Sequence, residues 1–404
     1  MPVRPNAGEL EEFLTRAVAE VIVRDELVAL LRAGERRLRI KQGFDPTSRN
    51  LHLGHAVGLR KLRKLAEWGH EIVLIVGDWT TQIGDPTDRD LTRPMRSREE
   101  VMENAQTYID QFHRIVPREG SRIAFQDEWF GRFGLRDVIE LASRFTAQQM
   151  LAREEFRKRQ QAGTPIPLKD LLYPLLQAYD SVALDADVEF GGTDQLFNIL
   201  AGREVQQQGG QRPQQVFIVQ LLEGLDGEKM SKSKPATAIW LTDPPQEVFG
   251  KVMSIADHLM PHYFEWATEM PMEQVRATLD ALGRGDLHPR EAKELLARRI
   301  TAELHSDAAA EDAAHAFARQ FREGLPPEAV PVVDVPRDGE QRLPIVDLLV
   351  RGGLVPSRSE ARRLVAQRGV KVDQATADPS TTVATSGEPL LQYGRRKFAR
   401  IRWR

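Results

Sequence analysis

Along the first two-thirds of the chain, short apolar runs alternate with stretches whose apolar residues recur every three or four positions. The first pattern marks buried strands and the second marks helices that cover them, so their alternation predicts a parallel sheet flanked by helices. Strands are predicted at 38–44, 72–77, 123–125, 188–190 and 216–219, with helices such as 55–68, 98–115 and 195–208 between them. From 244 to about 322 the helical period continues alone, and Pro261, Pro271 and Pro289 separate its segments. Residues 323–331 are rich in proline, and a polar stretch follows to 341, which reads as a linker. Beyond it, 343–351 and 357–367 have helical spacing, while 370–372, 390–393 and 398–401 have strand character. The predicted organisation is an α/β domain over 1–240, an α-helical domain over 241–325, a linker over 326–341 and a small α+β domain over 342–404.

Composition narrows the classes this pattern could serve. With 404 residues, 41% hydrophobic and 28% charged, the chain has the balance of a folded protein with two or three cores. It has no cysteine, which excludes disulfides and thiolate-held zinc or iron–sulfur centres. The amino-terminal stretch has no apolar signal core, and no apolar run approaches the roughly 18 residues that span a membrane. A cytoplasmic protein with no membrane partner is expected. The net charge of −3 hides an asymmetry: residues 342–404 carry 13 Lys and Arg against 5 Asp and Glu. A basic end on an acidic body suggests a polyanionic partner there, although a solvated charged surface has the same composition.

Two segments carry phosphate chemistry. Gly43-Phe44-Asp45-Pro46-Thr47 follows a predicted strand, and His52-Leu53-Gly54-His55 opens a helix. A strand, a tight turn and a helix start place free N–H groups and the positive end of the helix dipole where an anion can sit. His52 and His55 fall on one side of the first helical turn, and Gly54 carries no Cβ to hold a ligand off the backbone. Far downstream, Lys229-Met230-Ser231-Lys232-Ser233-Lys234 is a lysine-rich loop preceded by Gly227. Lys229 and Lys232 there can neutralise charge on a departing pyrophosphate, with the hydroxyls of Ser231 and Ser233 as donors.

These two elements, in this order and about 175 residues apart, resemble the signature sequences of the class I aminoacyl-tRNA synthetases. A third segment, Tyr173-Pro174-Leu175-Leu176-Gln177-Ala178-Tyr179-Asp180 with Gly191-Gly192-Thr193-Asp194-Gln195, resembles the amino-acid pocket of the bacterial tyrosyl branch. The likeness extends through Gly77-Asp78-Trp79-Thr80-Thr81-Gln82-Ile83-Gly84-Asp85-Pro86-Thr87. It implies a Rossmann-like catalytic domain that activates L-tyrosine with ATP, accompanied by Mg2+, and passes the tyrosyl group to tRNA(Tyr) in a homodimer.

Residue by residue, the resemblance implies that Tyr173, Gln177 and Asp85 meet the α-amino group of tyrosine and that Asp180 accepts from its phenol hydroxyl. Gly192 and Asp194 would meet the ribose, and Gln195 the region of the carboxylate. Asp45 and Gly43 would lie near the amino acid, and Thr47 near the phosphates with His52, His55, Lys229 and Lys232. Gly54 and Ser233 would contact ATP, and Arg89 and Arg93 pyrophosphate or the incoming tRNA end. The spacing of Tyr173, Gln177 and Asp180 independently puts three polar groups on one helix face.

Lys41 departs from the pattern. It stands where the other major bacterial branch has an aromatic hydroxyl, so it either pairs with an acid in the pocket wall or marks the branch. Gln126 falls where relatives tend to have asparagine. The segment from Leu343 to Val372 resembles the RNA-binding module named after small-subunit ribosomal protein four, which implies that Arg358, Arg362 and Arg363 face tRNA phosphates. A tryptophanyl-tRNA synthetase shares both phosphate elements and is the rival within the class. A non-catalytic RNA-binding relative is the rival outside it.

Overall fold

The fold comes from a computed structural model, in which residues 2–86, 96–321, 330–394 and 397–404 are described. The chain divides into two compact units, Met1–Asp307 and Ala308–Arg404. Arg89 and Arg93, expected near the phosphates, lie outside the described residues. No described helix is long and apolar enough to cross a membrane.

The first unit is built on one six-stranded sheet, formed by β1 (Val18–Ile22), β2 (Arg39–Phe44), β3 (Glu71–Val76), β4 (Ser121–Phe125), β5 (Val188–Gly192) and β6 (Gln215–Val219). The strand order is β1-β6-β5-β2-β3-β4. All neighbours are parallel except β1, which runs antiparallel to β6. β3 and β6 are almost continuously buried, as expected of strands covered on both faces. β1 was not expected from the sequence. It is an edge strand with a half-exposed Val-Ala-Glu-Val-Ile sequence, which lacks the apolar run of its neighbours.

Strand order reverses between β2 and β5, and in open α/β sheets the crevice at such a point, beyond the carboxyl ends, is where ligands bind. Three helices flank it. Leu53–Glu67 follows β2, Leu168–Leu184 precedes β5, and Leu196–Gln208 follows β5 after a single 3-10 turn at Thr193–Gln195. The helix Leu168–Leu184 is amphipathic: Leu175 and Ala178 join an apolar cluster with Leu141, Met150, Ala201 and Val205. That packing fixes which way its polar residues point. Between β6 and Phe321 every described element is a helix, from Pro235–Thr237 to Asp307–Phe321.

The second unit carries a five-stranded sheet in the order Ala375–Thr376, Val370–Val372, Leu390–Tyr393, Lys397–Trp403, Val332–Val335. Helices Ile345–Arg351 and Arg358–Ala366 pack on it around Leu348, Leu349, Ala361 and Val365. Val332–Val335 lies inside the stretch expected to be a linker, yet it pairs in parallel with Arg400 to Trp403. Proline and polar neighbours hide it in the sequence, but Val-Val-Asp-Val is β-branched and suits a strand.

Candidate active site

A cleft of about 510 Å³ opens at the switch point. Of the residues expected around the reaction, Gly43, Asp45, Thr47, His52, Gly54, His55, Asp85, Tyr173, Gln177 and Asp180 line it, from strand ends and two helices. Gly192, Asp194, Gln195, Lys229, Lys232 and Ser233 line it as well.

The histidine pair is set by the start of the helix Leu53–Glu67. The His52 N–H donates to His55 Nδ1 at 3.0 Å, so that nitrogen carries no proton and the neutral ring keeps its hydrogen on Nε2. The two rings lie 3.7 Å apart. Burial, with Lys232 and Lys229 nearby, holds His52 down to about 3. His55 is also pushed well below the imidazole range by burial, His52 and Lys232. Both therefore work as neutral hydrogen-bond donors at neutral pH rather than as cations. A Cβ on Gly54 would stand 3.0 Å from His52 Nδ1, so the glycine first makes room for the neighbouring ring.

The lysine-rich loop is anchored rather than loose. Met230 is buried and its N–H donates to Leu222 O at 2.9 Å. Leu53 N–H donates to Ile239 O at 2.8 Å and Leu241 N–H to Leu51 O at 2.9 Å. Those two bonds tie the loop's exit to the segment that opens the histidine helix. Lys232 Nζ donates to Asp45 O at 3.0 Å and lies 4.8 Å from the Tyr108 ring centre. Lys229 pairs with Asp194 at 2.7 Å. Asp194 and Lys229, expected to meet ribose and phosphate respectively, thus pair with each other.

The remaining polar groups sit along the helix Leu168–Leu184. Tyr173 OH donates to Asp45 Oδ2 at 2.9 Å, and Thr80 Oγ1 donates to Asp45 Oδ1 at 2.7 Å. Burial and the Asp85 charge push Asp45 up to about 6, against the pull of those two hydrogen bonds. Burial also pushes the Tyr173 phenol well above its ordinary range, with Asp45 and Asp85 adding to it. Gln195 Nε2 donates to Asp85 Oδ2 at 3.0 Å, and Asn198 Nδ2 donates to Gln195 Oε1 at 2.9 Å. Gln177 Nε2 reaches Glu189 Oε1 at 3.3 Å.

Asp180 is 2% exposed. Trp129 Nε1 donates to its Oδ1 at 3.1 Å, and Gln126 Nε2 donates to its Oδ2 at 2.9 Å. Gln126 is held in that orientation because its Oε1 accepts from the N–H groups of Trp79 and Thr80, at 3.2 and 3.0 Å. Burial pushes Asp180 up to about 8, opposed by Lys41 and by the two donors. Gln126 Nε2 also reaches Oδ1 at 3.2 Å, and these three N–H contacts leave part of this carboxylate free to accept from a ligand.

Comparison with known proteins decides the family. Residues 33–322, more than half of the chain, match the family described as tRNA synthetases class I (W and Y), and residues 343–388 match the S4 domain. The chain belongs to the class I tRNA synthetases. The tyrosine–tRNA ligase of Dehalococcoides mccartyi (strain ATCC BAA-2266 / KCTC 15142 / 195) is 46% identical over 395 residues, covering 97% of this chain and 98% of that one. The tyrosine–tRNA ligase of Thermotoga maritima is 44% identical over 395 residues, 97% of each chain. Among solved structures, the tyrosyl-tRNA synthetase of Archaeoglobus fulgidus, complexed with L-tyrosine, shares the fold. Its TM-score is 0.61 at 23% identity, over 76% of this chain and all of that one. The tryptophanyl-tRNA synthetase of Plasmodium falciparum shares it too, at TM-score 0.59 and 14% identity over 77% and 89% of the two chains.

In the synthetase's second unit, Arg358, Arg362 and Arg363 are exposed on or beside one helix whose N-cap is Ser357. Arg358 pairs with Asp347 and Arg363 with Glu360. Sequence reasoning assigned no role to Tyr108, Thr80, Trp129 or Glu189. Tyr108 follows no motif, and the other three, although Thr80 lies in the segment 77–87, show their roles only through partners distant in the chain. Lys41 does pair with an acid, its Nζ standing 2.9 Å from Glu189 Oε1, but that acid is buried and does not line the cleft.

Proposed function

We propose that this synthetase is a tyrosine–tRNA ligase. ATP enters the cleft beside His52, His55, Lys229 and Lys232, with magnesium arriving on its phosphates. A carboxylate oxygen of L-tyrosine attacks the α-phosphorus, the bond to the β-phosphate oxygen breaks, and pyrophosphate leaves with tyrosyl-adenylate behind. A terminal ribose hydroxyl of tRNA(Tyr) then attacks the acyl carbon, and AMP departs with the electron pair. Positioning and electrostatic stabilisation carry the first step, with no covalent enzyme intermediate. The neutral imidazoles donate to the α-phosphate oxygens, and the two ammonium groups take up charge on the departing phosphates.

The observation that carries the choice of amino acid is Asp180, a buried carboxylate aimed by Gln126 and Trp129. A phenol hydroxyl meets its remaining acceptor capacity, and a ring without that hydroxyl leaves it unmade. Tyr173, Gln177 and Asp85 take the α-amino group, Gln195 the carboxylate region, and Gly192 and Asp194 the ribose. Gly43 and Asp45 border the amino acid. Thr47, with Gly54 and Ser233, borders the nucleotide. The fold is shared with a tryptophanyl enzyme and does not make this choice.

The same reading assigns activation to residues 1–240, an accessory helical domain to 241–325, and tRNA to a basic module whose sheet starts at Val332 instead of 342. Arg358, Arg362 and Arg363 face its phosphates. A homodimer and a cytoplasmic location belong to this proposal. Leu135, Ile139 and Leu168, 77%, 59% and 78% exposed, supply an apolar surface for the dimer. The test is tRNA charging: labelled tyrosine becomes precipitable with tRNA only when ATP is present. Charging with tryptophan in its place refutes the assignment.

A further inference from the structure

Beneath Asp180 lies an ion pair that the reaction scheme above does not use. Lys41 on β2 and Glu189 on β5 are direct cross-strand partners in the parallel register, and their charged atoms stand 2.9 Å apart with side chains 1% and 2% exposed. Neither residue lines the cleft. Glu189 is also held by Ser181 Oγ at 3.3 Å, by Gln177 Nε2 at 3.3 Å and by Gln214 Nε2. Gln177 and Ser181 stand one helical turn apart and bracket Asp180 in sequence.

A buried pair of this kind is a poor way to gain stability. Desolvation of two ions commonly matches or exceeds their attraction, and an apolar pair across β2 and β5 serves a core equally well. Several charged and polar groups act on Asp180. Lys41 comes from β2, Glu189 from β5, the Tyr173 phenol from the same helix, and the neutral Gln126 and Trp129 from the segment after β4. Lys41 favours the charged carboxylate and Glu189 opposes it, with burial the strongest influence of all.

We infer that Lys41 and Glu189 are positioning residues for tyrosine recognition: their balance sets how readily Asp180 presents a charged acceptor to the phenol hydroxyl. With Lys41 in place the carboxylate titrates near working pH instead of remaining neutral. Glu189 aligns Lys41 and moderates its pull. This inference rests on the tyrosine reading.

The test measures KM for tyrosine, KM for ATP and kcat of the full-length enzyme from pH 6 to 9. In the unaltered enzyme, KM for tyrosine falls as pH rises through the Asp180 titration, near 8. Lys41→Met moves that midpoint up by about one unit, the usual effect of losing one close opposite charge. Near neutrality this raises KM for tyrosine about tenfold. Glu189→Gln, which preserves shape but turns one of the two accepting oxygens into a donor, moves the midpoint down. In both, KM for ATP and kcat stay close to the starting values. A merely structural pair gives no such opposition in sign. Midpoints that shift together, or not at all, overturn the inference. If Lys41→Met does not fold, Glu189→Gln decides alone: a downward shift supports the inference, and an unchanged or upward one overturns it. Failure of the unaltered enzyme to use tyrosine overturns the underlying reading instead, and is seen before any variant is compared.

Discussion

Lys232 and Tyr108 are in contact through charge and ring: the Lys232 ammonium lies 4.8 Å from the Tyr108 ring centre while it donates to the Asp45 carbonyl at 3.0 Å. Tyr108 is buried and its hydroxyl lies 3.3 Å from Ser48 Oγ. The ring therefore holds the lysine over the end of β2, where the phosphates are expected. A cation over a ring is stabilised by roughly 0.5–2 kcal/mol. Tyr108→Leu is expected to lower the ATP–pyrophosphate exchange rate about three- to tenfold, with KM for tyrosine little changed. Tyr108→Phe keeps the ring and most of the rate. Equal loss in both variants assigns the effect to the hydroxyl and removes the cation–ring contact from the account.

Lys232→Ala is expected to act on rate rather than on binding. A donor aimed at developing charge contributes about 2.7–4 kcal/mol, so the exchange rate should fall by about 10²–10³. Tyrosine affinity, measured by calorimetry without ATP, should stay within about twofold of the starting value. Loss of both together shows that Lys232 supports the pocket and not the chemistry.

Asp180 links stability to pH with a definite sign. Its carboxyl titrates near 8 in the folded chain, above its ordinary range near 3.8. Between those values the folded state binds more protons than the unfolded one, so this group's contribution is fully present below about 4 and is lost as pH rises through 8. His52, held to about 3, works the other way: its neutral burial destabilises as pH falls from about 6.5 toward 3. Between pH 6 and 8 the melting temperature of Asp180→Asn, relative to its own value at pH 6, should therefore fall less or rise more than that of the unaltered enzyme. An unchanged slope in the variant places the titration elsewhere.

The basic module gives a test by salt. Arg362→Ala removes one exposed guanidinium from the helix Arg358–Ala366. A lost phosphate contact lowers tRNA affinity and reduces the slope of log K against log salt by about 1. Arg358→Ala should cost less than Arg362→Ala, because Arg358 must first leave Asp347. The reverse order rules out that exchange.

Much of this was legible in the chain because the features are local. Apolar runs announced β2, β3 and β6, and the histidine and lysine elements announced themselves by spacing. The unexpected strands, Val18–Ile22 and Val332–Val335, are short and partly exposed, so their stability comes from partners far away in sequence. The same holds in the site. That Lys41 faces Glu189 depends on the register of two strands 148 positions apart, and that Trp129 caps Asp180 depends on where the segment after β4 turns. The state of the histidines was not legible either. Their neutrality follows from burial and from two lysines that only the folded loop brings near. Sequence placed the groups in one cleft but not the pairings among them.

ATP–pyrophosphate exchange measured with each of the twenty amino acids decides whether this cleft activates tyrosine. Rapid, ATP-dependent exchange is expected with tyrosine and only weak exchange with phenylalanine, which lacks the hydroxyl that Asp180 receives. Exchange supported by tryptophan and not by tyrosine, or equal exchange with tyrosine and phenylalanine, contradicts it.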